Sequence, residues 1–102
     1  MAPRKRSDVH SALIRKGFVL SETDHHKLVY FTLDHRKTSV WTKTSHGTSY
    51  KDIADPNLAR MARQCRLSSR DFARLLDCPL SREDYEEMLL AAGQIAASTK
   101  TD

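Results

Sequence analysis

The chain has 102 residues, of which 39% are hydrophobic, and this is enough for one modest core but not for two. Its formal net charge of +4 favours a polyanionic partner, because Lys and Arg neutralise phosphate groups and release their counterions. No apolar stretch approaches the length of a bilayer span, and the N-terminal Arg4, Lys5 and Arg6 have no apolar run behind them, so we expect neither a membrane segment nor a signal peptide.

The two cysteines, Cys65 and Cys78, are too few for a disulfide framework or a zinc cluster. Both lie near predicted apolar helical faces, so we expect reduced thiols and a cytoplasmic protein. The adjacent His25 and His26 would point to opposite sides of a regular strand, and no Cys or carboxylate stands at ligand spacing from them. We therefore predict no metal site and no other cofactor.

The first predicted element is a helix that follows a basic flexible tail, residues 1–7. Ser7 or Asp8 can cap the start of this helix, and its apolar residues repeat along one face. Gly17 stands where a left-handed C-terminal cap is expected, so the helix should end there.

Three strands are predicted next, at 18–21, 26–33 and 38–43, with a turn at 34–37 between the last two. Connections of hairpin length make neighbouring strands antiparallel. With the flanking helices, this predicts an α+β fold with a three-stranded antiparallel sheet and helices packed on one face, in the order α-β-β-β-α, plus two C-terminal helices.

The last half of the chain is predicted to be helical. Asp55 before Pro56 marks one helix start, and Ser81 to Asp84 resembles a capping box at another. The acidic residues between Glu83 and Glu87 are most simply a solvated face. Beyond the tail at 1–7, we predict a core over 8–67, a helical extension of the same domain over 68–93, and a flexible tail over 94–102.

Three of the five histidines lie near predicted strand ends, His25 and His26 at the start of the second strand and His46 after the third. Imidazole titrates near neutral pH, so these residues are candidates for proton transfer or for phosphate contact. Trp41 and Tyr30 could stack on bases, although aromatic residues in a small sheet are more often core.

The order of these features resembles the HicA toxin family. The resemblance is carried by the first helix ending Ile14-Arg15-Lys16-Gly17-Phe18, by the His-His pair that opens the second strand, and by the histidine before the next helix. It covers roughly Val9 to Leu67. Members of that family have a small fold like that of double-stranded-RNA-binding domains, and the better known ones are metal-independent ribonucleases whose antitoxin covers the active site.

The resemblance implies roles for particular residues. The family's catalytic histidine falls on His25, which as a neutral imidazole would take the proton from a ribose 2′-hydroxyl, and a protonated His46 would supply the proton of the leaving oxygen. The residues that would contact RNA are His26, Lys27, Lys43 and Lys51. The implied partners are RNA and an antitoxin-like protein.

A second reading stays open. Thr23-Asp24 stands where the family has a small Gly-Ser or Gly-Thr pair, and residues 68–93 have no counterpart in minimal toxins. The chain could instead be a non-catalytic protein-interaction module, in which the C-terminal helices bind a partner or a second copy and the histidines order loops. The sequence leaves the RNA target and the oligomeric state open.

Overall fold

The computed structural model describes residues 4–21, 26–44, 52–77 and 79–96, which form five strands and four helices. In chain order these are β1 (Arg4–Lys5), α1 (Arg6–Arg15), β2 (Phe18–Leu20), β3 (Lys27–Phe31), β4 (Lys37–Lys43), β5 (Asp52–Ile53), α2 (Asp55–Gln64), α3 (Ser69–Leu76) and α4 (Arg82–Ala91).

The main sheet has the order β2-β3-β4, and both pairings are antiparallel. Its buried side faces the helices, since Leu28, Tyr30 and Val40 join helical residues such as Leu58 and Phe72 in one hydrophobic core. The predicted fold class is therefore confirmed: an α+β arrangement with a three-stranded antiparallel sheet, helices on one face and two further C-terminal helices.

The N-terminus differs from the expected flexible tail. Arg4 and Lys5 pair with Ile53 and Asp52 in a second, two-stranded sheet, and α1 already begins at Arg6. The Arg4 guanidinium also donates to both carboxylate oxygens of Asp77, at 2.7 and 2.9 Å. The prediction failed because both partners lie far away in sequence, where local charge runs carry no signal.

The C-terminal boundary also lies later than expected. Residues 94–96 follow α4, and Ile95 packs against the core while the Arg36 guanidinium donates to the carbonyl of Ala96 at 3.1 Å. The expected tail at 94–102 is therefore wrong for its first three residues. Residues 97–102 lie outside the described part of the chain.

Helix starts agree with the sequence in two of four cases. Ser68 and Ser81 accept from the backbone N–H groups of Asp71 and Asp84, as N-cap side chains do. At α1 and α2 the N-cap positions are Lys5 and Ala54, without a side-chain cap, so the expected capping by Ser7, Asp8 or Asp55 is not found.

The C-terminal helices contribute large apolar side chains to the same core as the sheet. Phe72, Leu75, Tyr85 and Leu89 are fully buried in it. The Tyr85 ring lies 5.2 Å from that of Tyr30, measured between centroids, in an edge-to-face arrangement, and its hydroxyl donates to the carbonyl of Cys65 at 2.8 Å. Burial of each such side chain stabilises the fold by about 1.5–3 kcal/mol.

α4 also holds one end of β3. The Arg82 guanidinium donates to the carbonyls of Phe31 and Thr32, each at 3.1 Å. One oxygen of Glu86 accepts from the Tyr30 hydroxyl at 2.6 Å and from the Leu33 backbone N–H at 2.8 Å. Glu86 is therefore part of the tertiary structure, and the expectation of a solvated acidic face is wrong for this residue.

Gly17 permits this approach. It has a φ of +102°, and a Cβ there would lie 2.5 Å from Nε of Arg82 and 2.9 Å from Cε1 of Tyr30. Beside it, the buried Lys16 extends its ammonium to the carbonyls of Leu75 and Leu80, at 2.9 and 2.5 Å. Lys16 therefore ties the end of α1 to the end of α3 and the connection that follows.

Candidate nucleic-acid interface

The predicted site residues fall into two groups. His25, His46 and Lys51 lie outside the described residues, so the two predicted catalytic positions and one RNA-binding position stay predictions. His26, Lys27 and Lys43 are described. These three residues lie at one end of the main sheet, where β3 begins and β4 ends.

Lys27 and Lys43 are brought together by the strand register. They stand directly opposite each other in the β3–β4 pair. Neighbouring residues of a strand point to opposite faces, and Leu28 and Thr42 are buried on the helix side, so both lysines project from the face that the helices leave open. Two ammonium groups in directly opposed positions repel each other, an arrangement that costs stability unless an anion lies nearby.

An apolar row lies beside these lysines on the same face. Val19, Val29 and Trp41 occupy matching positions on the three strands. Val19 is 49% exposed and Trp41 is 37% exposed, whereas Tyr30 is fully buried on the helix side. Of the two aromatic residues considered for base stacking, Trp41 is thus accessible and Tyr30 belongs to the core.

The open face carries positive charge. The ammonium of Lys27 lies 4.8 Å from the centroid of the Trp41 ring, a cation–π contact. Among β2, β3 and β4 there are three lysines and no Asp or Glu. The described strands of this sheet therefore offer an aromatic surface next to fixed cations, with no carboxylate of their own to compete for them.

His26 lies on the helix side of the same sheet end. The backbone N–H of Thr44 donates to the His26 carbonyl at 3.0 Å, which extends the ladder one residue beyond Lys27 and Lys43. The hydroxyl of the buried Thr44 lies 3.5 Å from Nδ1 of His26. His26 therefore shares the sheet end with the two lysines but not their face.

His10 is a site residue that sequence reasoning missed. It projects from α1, and its Nε2 lies 3.1 Å from the Thr44 hydroxyl. Partial burial lowers the pKa of His10, and the positive charges of Arg6 and His26 lower it further. A histidine in the middle of a predicted helix carries no local signal for such a role, since its partners are 16 and 34 residues away.

Other chemistry is limited among the described residues. No group of three or more His, Cys, Asp or Glu side chains in the ranges given above could hold a metal ion. Cys65 is a buried free thiol whose pKa is raised to about 12 by burial, so it is no nucleophile at neutral pH. No helix in the described part of the chain is long and apolar enough to cross a membrane.

The chain matches no protein-family model, no curated protein and no solved structure. Its function must therefore be inferred from the two faces of the sheet end just described.

Proposed function

We propose that this protein is an RNA-binding domain, related in type to the HicA toxins, that holds RNA on the open face of its sheet. The observation that carries the proposal is the group formed by Lys27, Lys43 and Trp41, two opposed ammonium groups beside a partly exposed aromatic ring. The lysines neutralise phosphates, and Trp41 offers a stacking surface for an unpaired base.

The contact between Lys27 and Trp41 does not prevent stacking. An exposed cation–π contact is worth about 0.5–1 kcal/mol, whereas stacking of a base on an aromatic side chain is worth about 1–3 kcal/mol. An incoming base can therefore displace the Lys27 ammonium from the ring. The freed ammonium then pairs with a phosphate, so the displacement supports binding.

Cleavage is the second part of the proposal, and it depends on the family resemblance. His25 is covalently joined to His26, and His46 follows Thr44 by two residues. The paired His26 and Thr44 thus lead directly into the segments that carry both histidines. His25 would remove the 2′-hydroxyl proton, the 2′-oxygen would attack phosphorus, and His46 would protonate the departing 5′-oxygen.

The protein-interaction alternative loses its main support. It relied on the apolar residues of the C-terminal helices, and Phe72, Leu75, Tyr85 and Leu89 are buried in the protein's own core. A protein partner fits better as an antitoxin-like chain that competes with RNA for the open face. We assign the protein to the cytoplasm, where a buried free thiol such as Cys65 stays reduced.

RNA binding is tested by fluorescence anisotropy with a labelled single-stranded RNA across a range of salt concentrations. Lys43→Ala should weaken binding and lower the salt dependence by about one counterion per lost phosphate contact. Trp41→Ala should weaken it roughly 5- to 150-fold, as expected for about 1–3 kcal/mol of stacking. Lys37→Ala is the matched control, since it removes the same charge from the opposite end of β4.

The binding proposal fails if RNA at low salt binds no better than a neutral polymer, or if Lys37→Ala weakens binding as much as Lys43→Ala. Cleavage is tested with the same RNA in the presence of a chelator. His25→Ala should abolish cleavage and leave RNA affinity nearly unchanged, because a general base acts mainly in the transition state. An RNA with a 2′-deoxy position at the cut should resist cleavage; intact RNA across a wide pH range would leave a binding domain without nuclease activity.

A further inference from the structure

Three side chains from three separate elements meet at one hydroxyl group. Thr44 lies just beyond β4 and is 2% exposed, His10 belongs to α1, and His26 stands just before β3. The Thr44 oxygen is 3.1 Å from Nε2 of His10 and 3.5 Å from Nδ1 of His26. The hydroxyl therefore bridges two imidazole rings.

The bridge couples the protonation states of the two rings. A threonine hydroxyl has one proton to donate and lone pairs to accept with. When both imidazoles are neutral, the hydroxyl can donate to the bare nitrogen of one ring and accept from the N–H of the other. When both rings are protonated, both must donate to it, and two positive charges then lie on either side of one oxygen.

The surroundings favour an anion over a second proton alone. Arg6 lies four residues before His10 on the same face of α1, and its charge acts on His10 together with that of His26. Both effects oppose protonation of His10. Lys43 is the residue next to Thr44, and Lys27 is the residue next to His26. A phosphate at this position would offset the repulsion between these groups and make protonation favourable.

We propose that His10, Thr44 and His26 form a phosphate-binding site that fills on protonation and adds a second contact for RNA held by Lys27 and Lys43. This inference rests on the proposed RNA binding. The two contacts lie on opposite faces of the same sheet end, one residue apart along each strand. The lysine contact operates at every physiological pH, whereas the imidazole contact requires proton uptake.

Linkage sets the direction of the effect. Phosphate binds the protonated pair more tightly than the neutral pair, so RNA binding takes up protons and affinity rises as pH falls. One pH unit of linked titration corresponds to about a tenfold change in affinity for each proton taken up. We expect about a tenfold gain between about pH 8 and about pH 5.5 at constant ionic strength, across the range in which imidazole titrates.

The test measures affinity for the same labelled single-stranded RNA at both pH values in four variants. His10→Gln keeps an amide that can bond to Thr44 but cannot be charged, and it should lose the gain at low pH. Thr44→Val should lose it too, whereas Thr44→Ser retains the hydroxyl and should keep it. His35→Asn is the matched control, because it removes an exposed imidazole from the β3–β4 turn, where φ is +66° and Asn is tolerated.

Circular dichroism at both pH values confirms that each variant is folded. Equal low-pH gains in wild type and His10→Gln would overturn the inference, as would loss of the gain in His35→Asn. Binding at about pH 8 reports on Lys27, Lys43 and Trp41 alone. Absence of binding at that pH therefore contradicts the proposed function, and a missing pH dependence with intact binding contradicts the phosphate site alone.

Discussion

The two ends of β3 carry opposite charge arrangements, and the contrast separates the structural end from the functional one. At Phe31 the chain is held by Arg82 and Glu86 of α4, whose charges are satisfied by backbone carbonyls, a backbone N–H and the Tyr30 hydroxyl. At Lys27 the neighbouring groups are cationic or titratable, namely Lys43, His26 and His10. The first end spends its charges on the fold, and the second keeps them for an anion.

Removal of the α4 anchor should have the largest effect. Tyr85→Ala deletes a fully buried ring that packs on Phe18 and Tyr30, and large aromatic-to-Ala changes in a core cost about 3–5 kcal/mol. We expect a loss of this size in the free energy of unfolding measured with urea. Tyr85→Phe keeps the ring and should cost about 1–2 kcal/mol, since the Cys65 carbonyl loses its donor. Equal losses in both variants would show that the ring is not the anchor.

The pinned end of β3 should depend on one carboxylate. Glu86→Ala leaves the Tyr30 hydroxyl and the Leu33 N–H without their acceptor, which we expect to cost about 1–3 kcal/mol of unfolding free energy. Glu87→Ala, one residue along and exposed, is the control and should change stability by less than about 0.5 kcal/mol. RNA affinity should be the same in both variants; a drop confined to Glu86→Ala would mean that the two ends of β3 are coupled.

The cationic end should respond in the opposite sense. Lys43→Thr removes one of two directly opposed ammonium groups and keeps a residue that favours strands, so we expect unfolding free energy to rise by about 0.2–1 kcal/mol. The same variant should bind RNA more weakly. A variant that gains stability while losing affinity marks a surface kept for function. A loss of stability would place Lys43 among the groups that hold the fold.

The smallest effect expected is the pH dependence of stability at His10. Its pKa is lowered in the folded protein by burial and by Arg6 and His26, so the unfolded chain binds the proton more tightly. Stability is therefore full above the unfolded pKa of about 6.5 and declines as pH falls toward the lower folded pKa. Urea midpoints at about pH 7.5 and about pH 5 should differ less in His10→Gln than in wild type; an identical difference in both would exclude His10 as the source.

Local patterns predicted the elements well, and long-range contacts were beyond them. Gly17 with its positive φ and the N-caps Ser68 and Ser81 act within four residues of their own positions, so the sequence reveals them directly. The β1–β5 pair is only two residues long on each side and joins segments almost fifty residues apart. Neither strand is long enough to show a period.

The candidate site was predicted in part for the same reason. Lys27 and Lys43 follow from the hairpin, because the register of neighbouring strands can be inferred from the turn between them. The inclusion of His10 depends on how α1 packs across the end of the sheet, which is decided by tertiary packing. Glu86 shows the same limit, since an acidic helix reads as solvated until the element it packs against is known.

The buried ammonium of Lys16 has a consequence for how this chain is made. Its two acceptors, the carbonyls of Leu75 and Leu80, lie 59 and 64 residues further along. Ribosomes add about 5–20 residues per second, so these acceptors are synthesised roughly 3–13 seconds after Lys16 itself. During that interval α1 has its lysine but none of the groups that receive it. The nascent N-terminal half must wait for the chain's last quarter before its fold can close.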